Sequence, residues 1–337
     1  MSDIAEAKAL VRAFWEAVDT APAGSLAKVA AQHLDAKFHW QGFAPLPQTR
    51  GPEEFAEVFL EPFRAAFPSY ERQTHIFMAG VSNGRKDGQG DGALWVGATG
   101  YLTGRAAQDA FGIPAGTTDL RLRWSDFFRI EDGRIVQCQQ LIDVIDWFEQ
   151  IGRPVLPKPR GVAHVWPAPT GVEGCYWDAQ DAGIGAATLE LGRRFIFDGL
   201  NAFDENDLGS MGMDQFFHPN IKWYGPGGIG ACFSHAEFTS LHQQPWLVAF
   251  PDREVQDLDN LFAESNMVAG SSFPGVIGHQ TGPYQGVAAT GAQVAFKGID
   301  FWLRRGDQFV ENWVFVDFID MFAQMGVDLM ERMKNAG

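Results

Sequence analysis

Residues 126–152, DFFRIEDGRIVQCQQLIDVIDWFEQIG, recur as residues 300–326, DFWLRRGDQFVENWVFVDFIDMFAQMG. Nine positions are identical between these two segments without any gap. A second block, residues 40–71, aligns with residues 223–254 and shares its first Trp and its closing Ala-Phe-Pro. Only two copies are present and each is far longer than a solenoid repeat, so each must fold around its own core. The chain is therefore predicted to be a duplicated domain.

The two blocks are offset by different amounts, 174 positions for the first pair of segments (126 to 300) and 183 for the second (40 to 223). The second copy has therefore lost nine residues, net, between its blocks. At the corresponding place the first copy carries NGRKDGQGDG, residues 83–92. A glycine-rich polar run of this kind predicts an exposed loop.

Composition limits the classes of function. The chain has 337 residues, is 46% hydrophobic and contains 28 Phe and 11 Trp, which predicts two soluble domains with aromatic cores or cavities. Its formal net charge of −16 argues against nucleic-acid and anionic-membrane partners, because both need a basic face. Neither class of partner is therefore expected.

The first residues and the cysteines indicate the compartment. Leu10, Phe14 and Val18 form one stripe of an amphipathic helix, which predicts a core helix rather than a signal peptide. No apolar run is long enough for a membrane span, and the three cysteines have no spacing typical of disulfide or zinc frameworks. We therefore expect a cytoplasmic protein without a metal site.

Each copy begins with helical periodicity and ends with alternating strands, a pattern that predicts an α+β fold with an antiparallel sheet. We divide the chain into domain one (residues 1–155), a Pro/Gly-rich connector (156–182) and domain two (183–337). The Val and Trp residues of the connector predict that it is ordered. After the last strand of each copy an Asp occupies a helix N-cap position and a Gly the C′ position; these residues are Asp143, Asp317, Gly152 and Gly326.

Residues 278–326 resemble the C-terminal half of SnoaL-like polyketide cyclases, within the nuclear-transport-factor-like superfamily. The resemblance rests on a His-x-x-Gly segment at His279, a GVxxTG turn, the strand with Asp300, a polar hairpin and a Glu-Asn-Trp strand, in that order. It extends over nearly all of both copies, although domain one has GIPAGTT at the place of the GVxxTG turn. The resemblance implies two cone-shaped α+β barrels, each a curved antiparallel sheet closed by about three helices. It also implies an intrachain pseudo-dimer, with further homo-oligomerisation left open.

The resemblance further implies a cofactor-free acid/base enzyme, a cyclase, isomerase, dehydratase or lyase, acting on a small, partly apolar, polyketide-like metabolite. In related cyclases the catalytic carboxylate lies on the last long strand, where this chain has Val314 and Gln140. Neither residue transfers protons at neutral pH. The alternative function is therefore a non-catalytic small-molecule-binding or structural pseudo-dimer.

Two carboxylates remain as candidates for acid/base catalysis. Asp300 and Asp126 lie on the preceding strand of each copy beside aromatic residues, and desolvation there raises a carboxyl pKa toward neutrality. The alternative is that each accepts hydrogen bonds within the core. His279 is a candidate proton shuttle near Asp300, or else a solvent-exposed residue at a strand end.

Substrate-binding candidates come from strand alternation and from the resemblance. Asn312 and Gln140 are predicted to face the two cavities, and core packing is the alternative for the aromatic candidates, which are Trp40, Trp223, Tyr224, Trp302 and Trp313. Epoxide hydrolysis on this fold needs an Arg two residues from an Asp on the same strand face. Arg123 and Asp126 are three apart and so face opposite ways, which disfavours that reaction.

Overall fold

A computed structural model describes residues 2–178, 180–207 and 209–336. Domain one combines a six-stranded sheet with helices, in agreement with the predicted α+β class. Its strands are β1 (Leu34–Gln41), β2 (Thr49–Arg50), β3 (Glu71–Val81), β4 (Leu94–Gly104), β5 (Leu120–Glu131) and β6 (Arg134–Ile142). Its helices are α1 (Ser2–Thr20), α2 (Leu26–His33), α3 (the contiguous segments Pro52–Phe55, Ala56–Leu60 and Glu61–Ala66) and α4 (Val144–Gln150).

Domain two repeats this arrangement around a seven-stranded sheet. Its strands are β7 (Phe217–Tyr224), β8 (Ala231–Cys232), β9 (Glu254–Val255), β10 (Asn260–Glu264), β11 (Met267–His279), β12 (Gln293–Arg305) and β13 (Gln308–Val316). Its helices are α5 (Ala182–Arg193, continued by Arg194–Gly199 and Leu200–Ala202), α6 (Met213–Phe216), α7 (His235–Glu237, Phe238–Gln243 and Gln244–Ala249), α8 (Phe318–Gln324) and α9 (Leu329–Asn335).

The strand orders, β2-β1-β6-β5-β4-β3 and β10-β11-β12-β13-β7-β8, are equivalent, with β9 and β10 together replacing β3. All neighbours are antiparallel except the β1–β6 and β7–β13 pairs. Within the described residues the two end strands of each sheet do not pair with each other. The predicted fold, a sheet covered by helices in each of two domains, is confirmed, and neither sheet closes into a barrel.

The offset between the repeats has a simple structural origin. Residues 82–93 connect β3 to β4, whereas Ser265 and Asn266 alone connect β10 to β11. The longer loop reaches the other domain, since Lys86 Nζ lies 2.6 Å from a Glu254 carboxylate oxygen. The exposed loop predicted at 83–92 is thus present.

The predicted helix ends after the last strands are confirmed. Asp143 accepts a hydrogen bond from the N–H of Asp146, and Asp317 accepts one from the N–H of Asp320. Gly152 and Gly326 both have a φ of 77°, the left-handed conformation that a C′ residue requires.

Two carboxylates also tie the domains together reciprocally. Asp143 Oδ2 accepts a hydrogen bond from Gly227 N at 2.8 Å, and Asp317 Oδ2 accepts one from Ala44 N at 2.9 Å. Residues 44 and 227 are equivalent in the duplication, as are residues 143 and 317. Between the sheets the ring of Phe127 lies 5.2 Å from that of Phe301. The pseudo-dimer therefore has a two-fold pattern of contacts.

The described residues of the connector, which leave out Ala179, lie along both domains. Backbone hydrogen bonds join Phe77 of β3 to Gly174 and Tyr176, and others join Val162 to Ala231 of β8. Trp166 is buried, with its ring 4.7 Å from that of Phe315. In the described part of the chain, no helix has both the length and the apolar character that crossing a bilayer requires.

Candidate functional site

Domain two contains a cavity of about 210 Å³ between its sheet and helices α5 and α7. The equivalent space in domain one is about 30 Å³, which is enough for about two water molecules. Alternate residues of β12 and β13 line the larger cavity; they include Gly298, Asp300, Trp302, Asn312, Val314 and Val316. The two copies of the domain therefore differ mainly in whether the interior is open.

Asp300 lies on the cavity wall without a cationic partner among the described residues. Its nearest polar contact is the Asn312 side-chain amide, whose Nδ2 donates to Oδ1 at a long 3.4 Å. Burial among apolar residues raises the pKa of Asp300 to about 7, and the Asn312 hydrogen bond offsets this only in part. A carboxyl group with this pKa can both accept and donate a proton near neutral pH.

Asp126, its counterpart in domain one, is enclosed by partners. Its Oδ2 lies 3.7 Å from Arg72 Nη1, and its Oδ1 accepts a hydrogen bond from Gln140 Nε2 at 2.7 Å. The Arg72 guanidinium in turn lies 5.0 Å and 4.9 Å from the ring centroids of Trp15 and Trp124. Burial raises the pKa of Asp126 to about 6, against the opposing effects of Arg72 and Gln140. This carboxylate is held in a packed interior.

Four substitutions between the copies account for the difference. At each of these positions domain one has a side chain that fills the interior or contacts its neighbours there. Domain two has a smaller side chain, an apolar one or, in one case, a histidine. In the order domain one to domain two, they are Trp124 to Gly298, Arg72 to Val255, Gln140 to Val314 and Phe59 to His242. The first removes an indole from the interior and the second removes the guanidinium beside the carboxylate. The open cavity and the unpaired Asp300 thus arise together.

His242 is a second ionisable group in the open cavity. Its ring stacks on Trp223 with centroids 4.1 Å apart and planes 19° apart, as Phe59 stacks on Trp40 in domain one. Burial lowers the pKa of His242 to about 3, so the imidazole is neutral at physiological pH. Within the described residues it has no hydrogen-bond partner. The sequence signal for His242 is the difference between the copies, because domain one has Phe59 at the equivalent position.

Further unpaired donors surround the same cavity. Trp302 Nε1, Gln243 Nε2 and the Tyr284 hydroxyl are buried and have no hydrogen-bond partner in the described parts of the chain. Buried polar atoms without partners are costly and uncommon in native proteins. These donors are available to polar atoms of a ligand, although the closed interior of domain one also contains unpaired donors, such as Trp15 Nε1 and Trp124 Nε1.

The structure places His279 away from both cavities. The residue is exposed at the end of β11, and its Nδ1 lies 2.6 Å from a carboxylate oxygen of Asp252. It is therefore not near Asp300 as expected, because the strand end points to the protein surface. The solvent-exposed alternative describes this histidine.

Among the aromatic candidates, Trp223 and Trp302 line the open cavity. Tyr224 and Trp313 lie on the opposite sheet face, because residues next to each other on a strand point to opposite sides. There the Tyr224 hydroxyl donates to Glu311 at 3.1 Å and Trp313 Nε1 donates to the Pro167 carbonyl at 2.9 Å. These two residues therefore pack the connector onto domain two rather than lining the cavity.

Trp40 and Gln140 belong to the closed interior of domain one. Trp40 is fully buried and its Nε1 donates to Gln140 Oε1 at 3.2 Å. Gln140 also holds Asp126, so the amide joins the indole and the carboxylate in one network. Gln140 lines the small cavity, as strand alternation predicted, but both of its polar atoms are occupied.

One group of potential metal ligands, Asp146, Glu149 and His164, was not visible from the sequence spacing. Asp146 is already paired with Arg123 at 3.2 Å and with His164 Nδ1 at 2.8 Å. A guanidinium in direct contact with a ligand carboxylate opposes the binding of a metal cation. The group is best described as an ion-pair network beneath the connector.

Comparisons with known proteins agree with the geometry. A family model for SnoaL-like domains matches residues 11–138, and one for SnoaL-like polyketide cyclases matches residues 200–325. A comparison with curated proteins gave no match.

Similar solved structures include the following three proteins. A proposed SnoaL-like polyketide cyclase from Jannaschia sp. CCS1 is 18% identical, with a TM-score of 0.38, over 44% of this chain and 99% of that one. IdmH, a proposed polyketide cyclase from Streptomyces antibioticus, is 21% identical, with a TM-score of 0.31, over 39% and 96%. An epoxide hydrolase of M. tuberculosis, of the LEH-like type, is 19% identical, with a TM-score of 0.30, over 45% and 94%. Each half of the chain is a SnoaL-like domain, and the protein is a tandem pair of them.

Proposed function

We propose that domain two is a cofactor-independent acid/base enzyme in which Asp300 transfers the proton. The observation that carries this proposal is the contrast between two equivalent carboxylates. Asp300 is unpaired in a cavity of about 210 Å³, whereas Asp126 is paired with Arg72 in a space of about 30 Å³. An unpaired, desolvated carboxyl group in an accessible cavity is a typical arrangement for a catalytic acid or base.

The neighbouring groups suggest how the reaction proceeds. Asp300 removes a proton from a carbon next to a carbonyl group, and the carbonyl oxygen gains negative charge. The neutral imidazole of His242 and the Gln243 amide are free to donate hydrogen bonds to that oxygen, which stabilises the charge as an oxyanion hole does. Protonated Asp300 then returns the proton at another atom. In an isomerisation that atom is another carbon of the enolate. In an aldol cyclisation the enolate carbon attacks a second carbonyl of the substrate, and the proton goes to the alkoxide so formed. In a dehydration or lyase reaction the enolate expels a leaving group, which takes the proton.

The lining supports a small, partly apolar substrate. Phe195, Phe238, Leu247 and Trp246 contribute apolar surface around the carboxyl group. A polyketide-like metabolite, with carbonyl groups on a carbon skeleton, has this chemistry, and similarity to polyketide cyclases supports it. We place the protein in the cytoplasm and expect no nucleic-acid partner, on the basis of its charge of −16.

Domain one has a second function in this proposal, as a non-catalytic partner. Its interior is filled by aromatic rings around the Arg72–Asp126 pair. It presents the same interface contacts as domain two. We therefore assign the structural alternative to domain one and catalysis to domain two, with domain boundaries at residues 155 and 183.

The proposal can be tested without the natural substrate. 5-Nitrobenzisoxazole loses its C3 proton to a base, its N–O bond breaks, and the product is a coloured cyanophenolate. We expect the protein to accelerate this reaction with a rate that rises with pH through about 7, the pKa of Asp300. Asp300→Asn is expected to remove the acceleration, and the matched variant Asp126→Asn to retain it. Equal rates for wild type and Asp300→Asn would overturn the assignment of Asp300.

A further inference from the structure

Arg253 and Lys297 both line the open cavity; Lys297 pairs with Asp320 at 2.9 Å, whereas Arg253 has no acidic partner among the described residues. Its Nη2 donates to the Leu200 carbonyl at 3.3 Å and lies 2.8 Å from the sulfur of Met211. The guanidinium carbon is 5.0 Å from the centre of the Phe203 ring. Nη1 and Nε make no hydrogen bond within the described residues. The cation is thus fixed in place but not neutralised.

The acidic neighbours of Arg253 along the chain are engaged elsewhere. Asp252 pairs with His279 and Glu254 pairs with Lys86, and both pairs lie on the protein surface. Burial lowers the pKa of Arg253 to about 10, and no nearby carboxylate opposes this effect. Arg253 is only partly buried, and a cation that is partly withdrawn from water without a counter-ion is costly to the folded state. Such a group is retained at functional sites where a ligand supplies the missing charge.

The duplication shows that this cation is particular to domain two. The equivalent residue of domain one is Tyr70, whose hydroxyl donates to Asp19. The arginine of the domain-one interior, Arg72, lies two residues further on and pairs with both Asp19 and Asp126. Domain one thus has a compensated arginine, and domain two has an arginine and a carboxyl group that are not paired with each other.

We propose that Arg253 binds the carboxylate of the substrate, so that the domain-two cavity accepts small apolar organic acids. This inference rests on the proposed function, because it treats the same cavity as the substrate site. With the carboxylate at Arg253, the carbon skeleton extends along the apolar wall toward Asp300. A cavity whose wall carries both a cation and a carboxyl group favours molecules with an anionic group and a reactive carbon on one apolar skeleton.

The approach to the cavity is also basic. A cleft of about 110 Å³ adjoins the cavity and shares His242, Tyr284 and Ile229 with it. The connector contributes Lys158 and Arg160 to this cleft, and both are exposed. In a chain with a net charge of −16, a local positive field at this mouth favours the approach of anions.

The test compares two probes of the same shape and different charge, 2-naphthoate and 2-naphthamide, by isothermal titration calorimetry at fixed salt. We expect wild type to bind the acid at least ~10-fold more tightly than the amide, as for a desolvated charged hydrogen bond. Arg253→Gln is expected to lose this preference and Arg253→Lys to keep part of it. No preference in wild type, or an unchanged preference in Arg253→Gln, would overturn the proposal.

Two controls separate the alternatives. The double variant Lys158→Gln/Arg160→Gln is expected to keep the acid preference. If the double variant lost the preference and Arg253→Gln kept it, the anion site would lie in the cleft of Lys158 and Arg160, and the proposal would be overturned. In Arg253→Met the acid preference is expected to vanish while the unfolding temperature stays unchanged. If Arg253 had a purely structural role, the same substitution would lower the unfolding temperature by several degrees. Because binding is measured without turnover, Asp300→Asn is expected to keep the preference, so failure of the proposed catalysis is distinguishable from failure of this inference.

Discussion

Gly298 in domain two and Trp124 in domain one occupy the same position on equivalent strands, two residues before Asp300 and Asp126. The indole of Trp124 fills the interior and packs against Arg72, whereas Gly298 leaves that volume open. One residue pair thus accounts for much of the difference between a closed and an open domain.

Gly298→Trp should close the domain-two cavity. A Cβ atom at this position meets only the Phe315 carbonyl oxygen, at 3.1 Å, so the backbone tolerates a side chain after a small adjustment. We expect 2-naphthoate binding and 5-nitrobenzisoxazole turnover to fall at least ~10-fold, with a change in unfolding free energy below about 3 kcal/mol, the usual cost of added volume. Calorimetry and urea denaturation measure both. Full turnover with an intact fold would contradict the location of the site.

Val255→Arg should restore in domain two the ion pair of domain one. A guanidinium beside Asp300 favours its ionised form, and we expect its pKa to fall by about 1–3 units, as for an Asp next to Arg. The midpoint of the pH–rate profile for 5-nitrobenzisoxazole should move to lower pH, with a slower plateau because the base is weaker. Val255→Leu serves as the control and should leave the midpoint near 7. An unmoved midpoint in Val255→Arg would show that another group controls the profile.

Asp300→Asn should stabilise the protein at alkaline pH. The folded-state pKa is about 7, above the value of about 3.9 in an unfolded chain, so between these values the folded state retains a proton that the unfolded state releases. Wild-type stability therefore falls as pH rises from 4 to 7. The neutral amide has no such loss, and we expect a gain on the order of a few kcal/mol at pH 8 that vanishes near pH 4. Urea denaturation at both pH values measures it; a loss of stability at pH 8 would indicate a structural carboxylate.

Arg72→Met should destabilise domain one. Removing the guanidinium leaves Asp126 buried without a cation and Asp19 with only the Tyr70 hydroxyl, a change that costs about 3–5 kcal/mol for buried pairs. Arg72 holds the pKa of Asp126 down, so its loss raises that pKa and the penalty is largest where the carboxyl must ionise. We expect a larger loss at pH 8 than at pH 4.5. An equal loss at both pH values would assign the effect to packing on Trp15 and Trp124 alone.

His242→Phe should leave the stability of the protein unchanged and reduce its turnover. Phenylalanine occupies the equivalent place in domain one, stacked on Trp40, so stability should be retained. Turnover of 5-nitrobenzisoxazole should fall about 10- to 100-fold, somewhat less than for a dedicated oxyanion donor. His279→Asn, at the exposed strand end, is the control and should leave turnover unchanged. Undiminished turnover in His242→Phe would exclude the imidazole from the reaction.

The repeat itself made most of the fold predictable. Asp143 and Gly152 marked the ends of a helix, and their copies at 317 and 326 confirmed the period, because capping depends on local sequence alone. Closure into a barrel was not predictable in this way. Whether end strands pair depends on how helices and a second sheet compete for the faces, and this is decided by contacts distant in sequence.

The candidate site was predictable where strand alternation applies, as at Asn312, but not where long-range packing decides. His279 was expected near Asp300, yet the strand carries it to the surface, where Asp252 holds it. Trp313 was expected in the cavity, but its neighbour Asn312 takes that face. His242 and Arg253 were missed because their importance lies in what domain one has instead, Phe59 and Tyr70.

The reciprocal hydrogen bonds of Asp143 and Asp317 join two domains that no longer carry the same interior. In a dimer of identical chains, a substitution such as Trp for Gly at position 298 would enter both subunits and close both cavities. Here each domain has its own residues in one polypeptide, so a substitution in one domain leaves the sequence of the other unchanged. One half is free to become a solid support, while its neighbour keeps a destabilising cavity open. The molecule is in effect a heterodimer encoded by a single gene, in which rigidity and reactivity are free to diverge.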